Sequence, residues 1–144
     1  MRKYLEDLWG QKVTDVSFSD ELCVLDTELG QVVLTVEGDC CSYSYFYDAV
    51  GLDHLRNNGA VLRVETIDLG DAFADEHEDT WTSIYGIKIV TEHPVFGEVN
   101  TVISFRNGSN GYYGGECNSR FEGDHKLHAG TTKALGDHWA KDDA

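Results

Sequence analysis

Four cysteines are the residues with the clearest potential for chemistry, and two of them, Cys40 and Cys41, are adjacent. Neighbouring residues of a strand point to opposite faces, so this pair is poorly placed to bind one metal ion. A zinc site usually takes ligand pairs separated by a few residues. Nothing in the sequence indicates secretion, so a disulfide framework is not expected. We therefore expect no metal or other cofactor, and we expect one cysteine of the pair to enter the core as a small hydrophobic residue.

A glycine-rich segment, FRNGSNGYYGGE at residues 105–116, is the best candidate for a ligand site. Its glycines allow close approach of a ligand to the backbone, its tyrosines offer stacking faces, and its arginine supplies a cation for an anionic ligand. Aromatic residues that follow the adjacent cysteines would line the same pocket. The alternative is a tight hairpin with one tyrosine in the core and one on the surface. The residues assigned to this site are Arg106, Asn110, Tyr112, Tyr113, Tyr43 and Tyr45.

Negative charge dominates the chain, with 26 Asp and Glu against 11 Lys and Arg and a formal net charge of -15. Residues 13–55 contain nine carboxylates and no Lys or Arg. Such a field repels nucleic acid and anionic membranes, and it attracts a basic protein surface or a cation. We assign Asp15, Asp26 and Glu28 to a binding surface for a protein partner. The alternative is that the charge only keeps a small protein soluble.

Hydrophobic periodicity predicts an α+β domain built on an antiparallel β-sheet meander, with one or two short helices packed on it. The carboxylates fall at outward positions of the first three strands. Helices are predicted at the N-terminus, ending at Gly10, and within 47–59. Residues 70–81 are predicted to form an acidic loop. The predicted strands are 12–19, 21–28, 31–38, 60–69, 83–92 and 98–107.

The predicted organisation is a single domain at 1–121 followed by a flexible tail at 122–144, which has few core-forming residues. Trp139 is the residue able to anchor that tail. No apolar run approaches the roughly 18 residues of a membrane helix. Acidic residues at Glu6 and Asp7 occupy the place of a signal peptide's apolar region, so we expect the protein to stay in the cytoplasm.

Catalytic motifs are not evident. The sequence contains no GxxxxGK phosphate loop, no GxSxG elbow and no HExxH pair. No spacing of serine, histidine and aspartate singles out a nucleophile and its base. An enzyme is therefore the class that the sequence favours least.

Three segments in order resemble a family of small proteins encoded by bacteriophages and catalogued as a domain of unknown function. These segments are EGDCCS followed by aromatics, YGIKIVTEHP, and ISFRNGSNGYYGG. The resemblance runs from about Leu8 to Cys117. It implies a phage accessory protein that acts in the bacterial host cytoplasm, and it implies no activity and no functional residues. Within the family, the GDCCS and SNGYYGG segments are expected to matter to the fold or to a site.

Three functions follow as hypotheses. The first is a non-catalytic protein that inhibits a host factor, such as a defence protein, by covering its basic surface with the acidic face. The second is a protein that binds or sequesters a small anionic ligand such as a nucleotide signal. The third is a structural or other role in the phage. A homodimer is the further association that we consider.

Overall fold

Strands account for most of the described part of the chain. The computed structural model describes residues 6–19, 21–38, 43–74, 77–109, 115–123 and 138–140. Its elements are a 3-10 turn (Glu6–Leu8), β1 (Val13–Phe18), β2 (Leu22–Thr27), β3 (Gln31–Gly38), β4 (Tyr43–Val50), α1 (Leu52–Asn57), β5 (Val61–Ala74), β6 (His77–His93), β7 (Gly97–Ser109), β8 (Gly115–Glu122) and β9 (His138–Ala140).

The strands form two sheets rather than one. The four-stranded sheet has the order β1-β2-β3-β8, and the five-stranded sheet has the order β5-β6-β7-β4-β9. Every strand pair in both sheets is antiparallel. The predicted meander of the first three strands is confirmed as one part of the smaller sheet.

One hydrophobic core fills the space between the two sheets. Phe18 of the four-stranded sheet meets Phe46 of the five-stranded sheet edge-on, with ring centroids 6.1 Å apart. Phe46 in turn meets Phe105 at 6.4 Å, again edge to face. All three side chains are fully buried or nearly so, and burying each one stabilises the fold by about 1.5–3 kcal/mol. Residues of both sheets, of α1 and of the N-terminal turn belong to this core.

The α+β prediction is right in its antiparallel strands and wrong in its proportions. The structure is mostly β, with a single short α-helix among the described residues. The predicted acidic loop at 70–81 instead continues β5 and β6, which pair from Val61 to Ala74. Backbone hydrogen bonds extend this ribbon where the apolar alternation that guided the prediction stops. None of the described helices is long and apolar enough to cross a membrane.

The helix predicted within 47–59 is confirmed as α1. Gly51 precedes it with φ 83° and ψ 26°, the left-handed conformation that glycine adopts at little cost. The hydroxyl of Thr101 donates to Gly51 O at 2.7 Å. At the other end, Asn58 N donates to His54 O at 3.1 Å, and the Asn58 side chain donates to Thr91 at 3.2 Å. The start of the helix is therefore fixed to β7, and its end is fixed to β6.

One end of the two-layer structure, called the helix end below, gathers α1, the start of β1 and the start of β5. Gly10 N donates to Val61 O at 2.8 Å, and Val61 N donates to Gln11 O at 3.0 Å. Glu28 N, just after β2, donates to Lys12 O at 3.3 Å. The β6–β7 turn lies at this end too, because Val61 pairs with Thr91 near the end of β6.

At the opposite end, β3 ends and β4 begins, and β7 ends and β8 begins. Residues 39–42 join β3 to β4, and residues 110–114 join β7 to β8. Gly38 pairs with Gly115 in one sheet, and Tyr43 pairs with Gly108 in the other. The predicted hairpin at 105–116 is therefore wrong. β7 and β8, which precede and follow residues 110–114, belong to different sheets and do not pair.

The edge strand of the larger sheet, β5, is irregular. Its register with β6 shifts at three places, between Val61 and Arg63, between Asp68 and Gly70, and between Phe73 and Ala74. Gly70 has φ 103°, and Asp68 Oδ1 accepts a hydrogen bond from its backbone N–H at 2.9 Å. Each shift interrupts the regular row of backbone groups that an edge strand presents.

Part of the predicted tail at 122–144 forms a strand. β9 pairs with β4 at the edge of the five-stranded sheet, with Trp139 opposite Ala49 and His138 opposite Val50. Residues 124–137 and 141–144 of the tail lie outside the described residues. The larger sheet therefore takes its last strand from the C-terminal part of the chain.

Candidate functional site

Two of the acidic residues assigned to a binding surface lie side by side. Asp15 of β1 pairs directly with Asp26 of β2. Both point away from the core, because their strand neighbours Val16 and Leu25 are core residues. Directly opposite residues of an antiparallel pair have Cβ atoms about 4.5–5.5 Å apart, and two like charges there destabilise the sheet.

Hydrogen bonds hold both carboxylates in place. Asp15 Oδ1 accepts from Val16 N at 2.9 Å, and Asp26 Oδ1 accepts from the Gln31 side chain at 2.8 Å. Glu28 is exposed in the turn that follows β2. The three residues assigned to the acidic surface therefore lie along one β-hairpin, and two of them are fixed before any partner binds.

Lys12, the cation that precedes the acidic run, is turned away from it. Its ammonium group donates to Arg56 O at 2.6 Å and Leu55 O at 3.3 Å, two carbonyls in the last turn of α1, and to Val13 O at 3.2 Å. Cations are favourable at the C-terminal end of a helix, where carbonyl groups lack intrahelical partners. Lys12 thus stabilises the helix.

The nine carboxylates of residues 13–55 do not form one continuous face. Asp48 lies on β4 of the other sheet, and Asp53 lies on α1, where it pairs with Arg56 at 3.1 Å. Moreover, the outward positions of β2 and β3 hold Val24 and Val33, which are buried. The expectation that the acidic run is mostly one solvated sheet face therefore fails at these positions, whereas Asp15, Asp26 and Glu28 lie along one hairpin.

A second cluster lies on the outer face of the five-stranded sheet. Tyr45 pairs with Arg106 across β4 and β7. The guanidinium carbon of Arg106 stands 3.5 Å from the centroid of the Tyr47 ring, a cation–π contact. The Arg106 Nε is buried and has no hydrogen-bond partner. An arginine held by an aromatic ring with an unused donor is suited to an anion or to a ligand carbonyl.

A bulge in β4 produces this geometry. The register passes from Phe46–Phe105 to Asp48–Ser104, so Tyr47 is the extra residue. The Ser104 hydroxyl donates to the Asp48 carboxylate beside the bulge. A bulge changes the direction in which side chains point, and here it places the Tyr47 ring against the Arg106 guanidinium.

The other described cations do not converge on Arg106. Arg63 forms hydrogen bonds to Glu98 at 2.9 and 3.1 Å and to Glu65 at 2.8 Å, and Lys88 lies 3.5 Å from Glu65. The hydrogen bonds from Arg63 lower the pKa of Glu98 and of Glu65, and they raise the pKa of Arg63. These groups form a surface ion-pair network across β5, β6 and β7.

Two cysteines behave as small core residues. Cys23 on β2 and Cys117 on β8 are both fully buried. Burial, with a smaller contribution from Cys117, raises the pKa of the Cys23 thiol. A buried thiol with a raised pKa is a poor nucleophile and a poor metal ligand. Cys40 and Cys41, whose assignment the sequence left open, lie outside the described residues.

Only some of the predicted site residues are among those that the structure describes. Asn110, Tyr112 and Tyr113 lie outside the described residues, and Tyr43 is described by its backbone alone, opposite Gly108. Arg106 and Tyr45 are brought together. Within the described ranges, no group of three or more His, Cys, Asp or Glu side chains converges as a metal site would.

Tyr47 belongs to the aromatic run that was expected to line the pocket, but it was not among the residues assigned to the site. Only the bulge decides that it meets Arg106. A second missed feature is the pair Val95 and Phe96 in the β6–β7 turn, both more than three-quarters exposed. Adjacent apolar residues between Pro94 and Gly97 were the available signal.

Two antiparallel sheets around a single core define the class of this protein as a two-layer, mostly β protein. Residues 6–119 match the family described as a domain of unknown function, DUF7448, and the chain belongs to this family. No curated protein and no solved structure matches the chain.

Proposed function

We propose that this chain is a phage accessory protein that binds a host protein without catalysis and inhibits it by occupying a basic surface. The supporting observation is the directly opposed pair of Asp15 and Asp26, with Glu28 on the same hairpin. Like charges in this position weaken a sheet, and a basic partner surface would relieve their repulsion. The resemblance to phage-encoded proteins supplies the host cytoplasm as the place of action.

The carboxylates of Asp15 and Asp26, fixed by hydrogen bonds, favour binding to a cationic surface rather than to nucleic acid. Their hydrogen bonds restrict both side chains before a partner binds, which reduces the ordering cost of association. The turned-away Lys12 leaves the negative field of the hairpin in place. A partner that normally holds phosphates with Lys and Arg offers the complementary surface.

Binding to the host factor should then depend steeply on salt and on these charges. The experiment captures host proteins from a bacterial lysate on the immobilised protein, purifies the captured factor, and measures its affinity in 50 mM and 500 mM salt. We expect the triple variant Asp15→Asn, Asp26→Asn, Glu28→Gln to bind at least about tenfold more weakly in low salt and to show a reduced salt slope. We also expect the bound factor to lose nucleic-acid binding.

The matched control is Asp68→Asn, which removes an exposed carboxylate from β5 and keeps the oxygen that accepts from Gly70 N. It should bind as the unmodified protein does. An affinity that is equal in low and high salt, or a loss shared by the control, refutes inhibition through the acidic hairpin.

A second candidate function rests on Arg106. Its buried Nε lacks a partner, and Tyr47 holds its guanidinium from one side. This arrangement favours a small anionic ligand, such as a nucleotide, that stacks on Tyr45 or Tyr47 and accepts from Arg106. The acidic hairpin and this cluster lie on the outer faces of opposite sheets, so the two functions do not compete for one surface.

A further inference from the structure

Exposed apolar side chains concentrate at the helix end. Eight large apolar residues are exposed within the described ranges, and only Leu69 lies away from this end. The hydrogen bonds between Gly10 and Val61 and between Glu28 and Lys12 bring the relevant turns together. The exposed apolar residues of the helix end are Trp9, Leu29, Val50, Leu62, Val95, Phe96 and Phe121.

The β6–β7 turn is the most prominent part of this surface. Val95 is 78% exposed and Phe96 is 76% exposed. The turn extends beyond β5, whose first pair joins Val61 to Thr91, whereas β6 and β7 continue to pair as far as His93 and Gly97. An aromatic and an aliphatic residue are thus presented at the tip of a ribbon.

The turn is held in one conformation. The Nδ1 of His93 accepts hydrogen bonds from Val95 N at 2.9 Å and from Phe96 N at 3.1 Å. The imidazole ring packs on the Phe96 ring, with centroids 4.7 Å apart. Gly97 closes the turn with φ 81°. A preorganised aromatic residue is a favourable binding anchor, because little conformational entropy is lost when it is buried.

Carboxylates surround the anchors. Glu92 flanks the turn and is exposed, Glu28 precedes Leu29, and Glu122 follows Phe121. Glu98, on the other flank, is paired with Arg63. The cations described at this end are engaged within the chain, since Lys12 bonds to carbonyls of α1, Arg56 pairs with Asp53, and Arg63 pairs with Glu98. The surface therefore combines an apolar centre with an acidic rim.

We infer that the helix end is a docking surface for a protein that offers an apolar pocket bordered by Lys and Arg. Phe96 is the anchor residue, and Val95, Leu29 and Trp9 extend the contact. Charge complementarity selects this partner, because an anionic membrane would be repelled by the rim and a second copy would oppose one acidic rim with another. The inference deepens the proposed function, on which it rests for the basic character of the partner.

The test uses a displayed library of random peptides as the probe, selected against the full-length protein. Enriched peptides should combine aromatic or aliphatic residues with Lys or Arg. Their affinity, measured by titration calorimetry, should fall at least tenfold for Phe96→Ser and for Val95→Ser. It should change less than twofold for Leu69→Ser, the matched exposed apolar residue away from this end. Because both turn side chains are largely exposed, circular dichroism should show that each variant folds.

Several outcomes would overturn the inference. They are an absence of enriched peptides, enriched peptides without basic residues, or equal binding by Phe96→Ser and Leu69→Ser. Cosedimentation with vesicles of phosphatidylethanolamine and phosphatidylglycerol that requires Phe96 would assign the surface to a membrane instead. A dimer in sedimentation equilibrium that Phe96→Ser dissociates would assign it to self-association.

The variants separate this inference from the proposed function. If Phe96→Ser leaves peptide binding intact while the Asp15, Asp26, Glu28 variant loses the host factor, the docking surface fails and the inhibitor stands. If Phe96→Ser abolishes peptide binding while the acidic variant keeps the host factor, the acidic hairpin fails and the docking surface stands.

Discussion

At the scale of single residues, Arg106 is the side chain with the least explained environment. One face of its guanidinium is covered by Tyr47, and its Nε is buried without an acceptor. By contrast, Arg56 pairs with Asp53, and Arg63 pairs with Glu65 and Glu98. A buried donor without a partner destabilises the free protein by about 1–3 kcal/mol, and a ligand that supplies the acceptor would recover this energy.

Native mass spectrometry of untagged protein from bacterial cells tests this role of Arg106. If a small anion binds there, the measured mass should exceed that of the bare chain, and Arg106→Ala should return it to the chain mass. Arg56→Ala is the control, because Arg56 pairs with Asp53 on α1 and should leave the added mass unchanged. A bare chain mass for the unmodified protein counts against the ligand function.

At the scale of elements, a comparison of two glycines distinguishes the cost of backbone strain from the cost of a steric clash. Gly51 before α1 and Gly97 in the β6–β7 turn have nearly equal positive φ values, 83° and 81°. A Cβ at Gly51 would lie 2.9 Å from Asn100 O, whereas a Cβ at Gly97 would meet nothing within 4 Å. The left-handed conformation costs a residue with a side chain about 1–2 kcal/mol.

Gly97→Ala should therefore lower the free energy of unfolding by about 1–2 kcal/mol, and Gly51→Ala should lower it by more. The added cost at Gly51 arises because the backbone of β7 must move to relieve the contact. Urea unfolding followed by tryptophan fluorescence measures both values. Equal losses of unfolding free energy in the two variants would show that the Asn100 carbonyl moves away from the new Cβ at no cost.

Local patterns allowed some of these elements to be predicted and hid others. The apolar spacing of Val13, Val16 and Phe18 predicts β1, and that of Leu52 and Leu55 predicts α1. In each case the residues that enter the core recur with the period of a strand or of a helix. Residues 70–81 lack that alternation, since backbone pairing rather than an apolar stripe continues β5 along β6. The sequence suggested that Tyr45 and Arg106 are close, but Tyr47 depends on a bulge that no residue type marks.

At the scale of the whole molecule, the sequence did not reveal that the chain divides between two sheets. The links at 39–42 and 110–114 contain Asp, Ser, Asn and Gly residues, and these residue types occur both in a turn between paired strands and in a connection between sheets. The same limit applies to β9, whose three residues carry no periodic signal. Long-range pairing decides both features, and short-range patterns do not contain it.

Truncation tests the contribution of β9 to the whole fold. A chain that ends at residue 137 loses the strand that pairs with β4, exposing Ala49 and Val50 at the sheet edge. We expect its melting temperature to fall by several degrees relative to a chain that ends at residue 140, which keeps the strand. Equal melting temperatures would show that the folded domain needs nothing from β9, as the prediction of a flexible tail at 122–144 requires.

The interrupted register of β5 has a consequence for behaviour at high concentration. An exposed edge strand with a regular row of N–H and C=O groups is a template on which another chain can add, and this addition begins fibrils and amorphous aggregates. Three register shifts along β5 break that row, and the net charge of -15 adds repulsion between molecules. We therefore expect this edge of the larger sheet to resist strand addition even at high protein concentration.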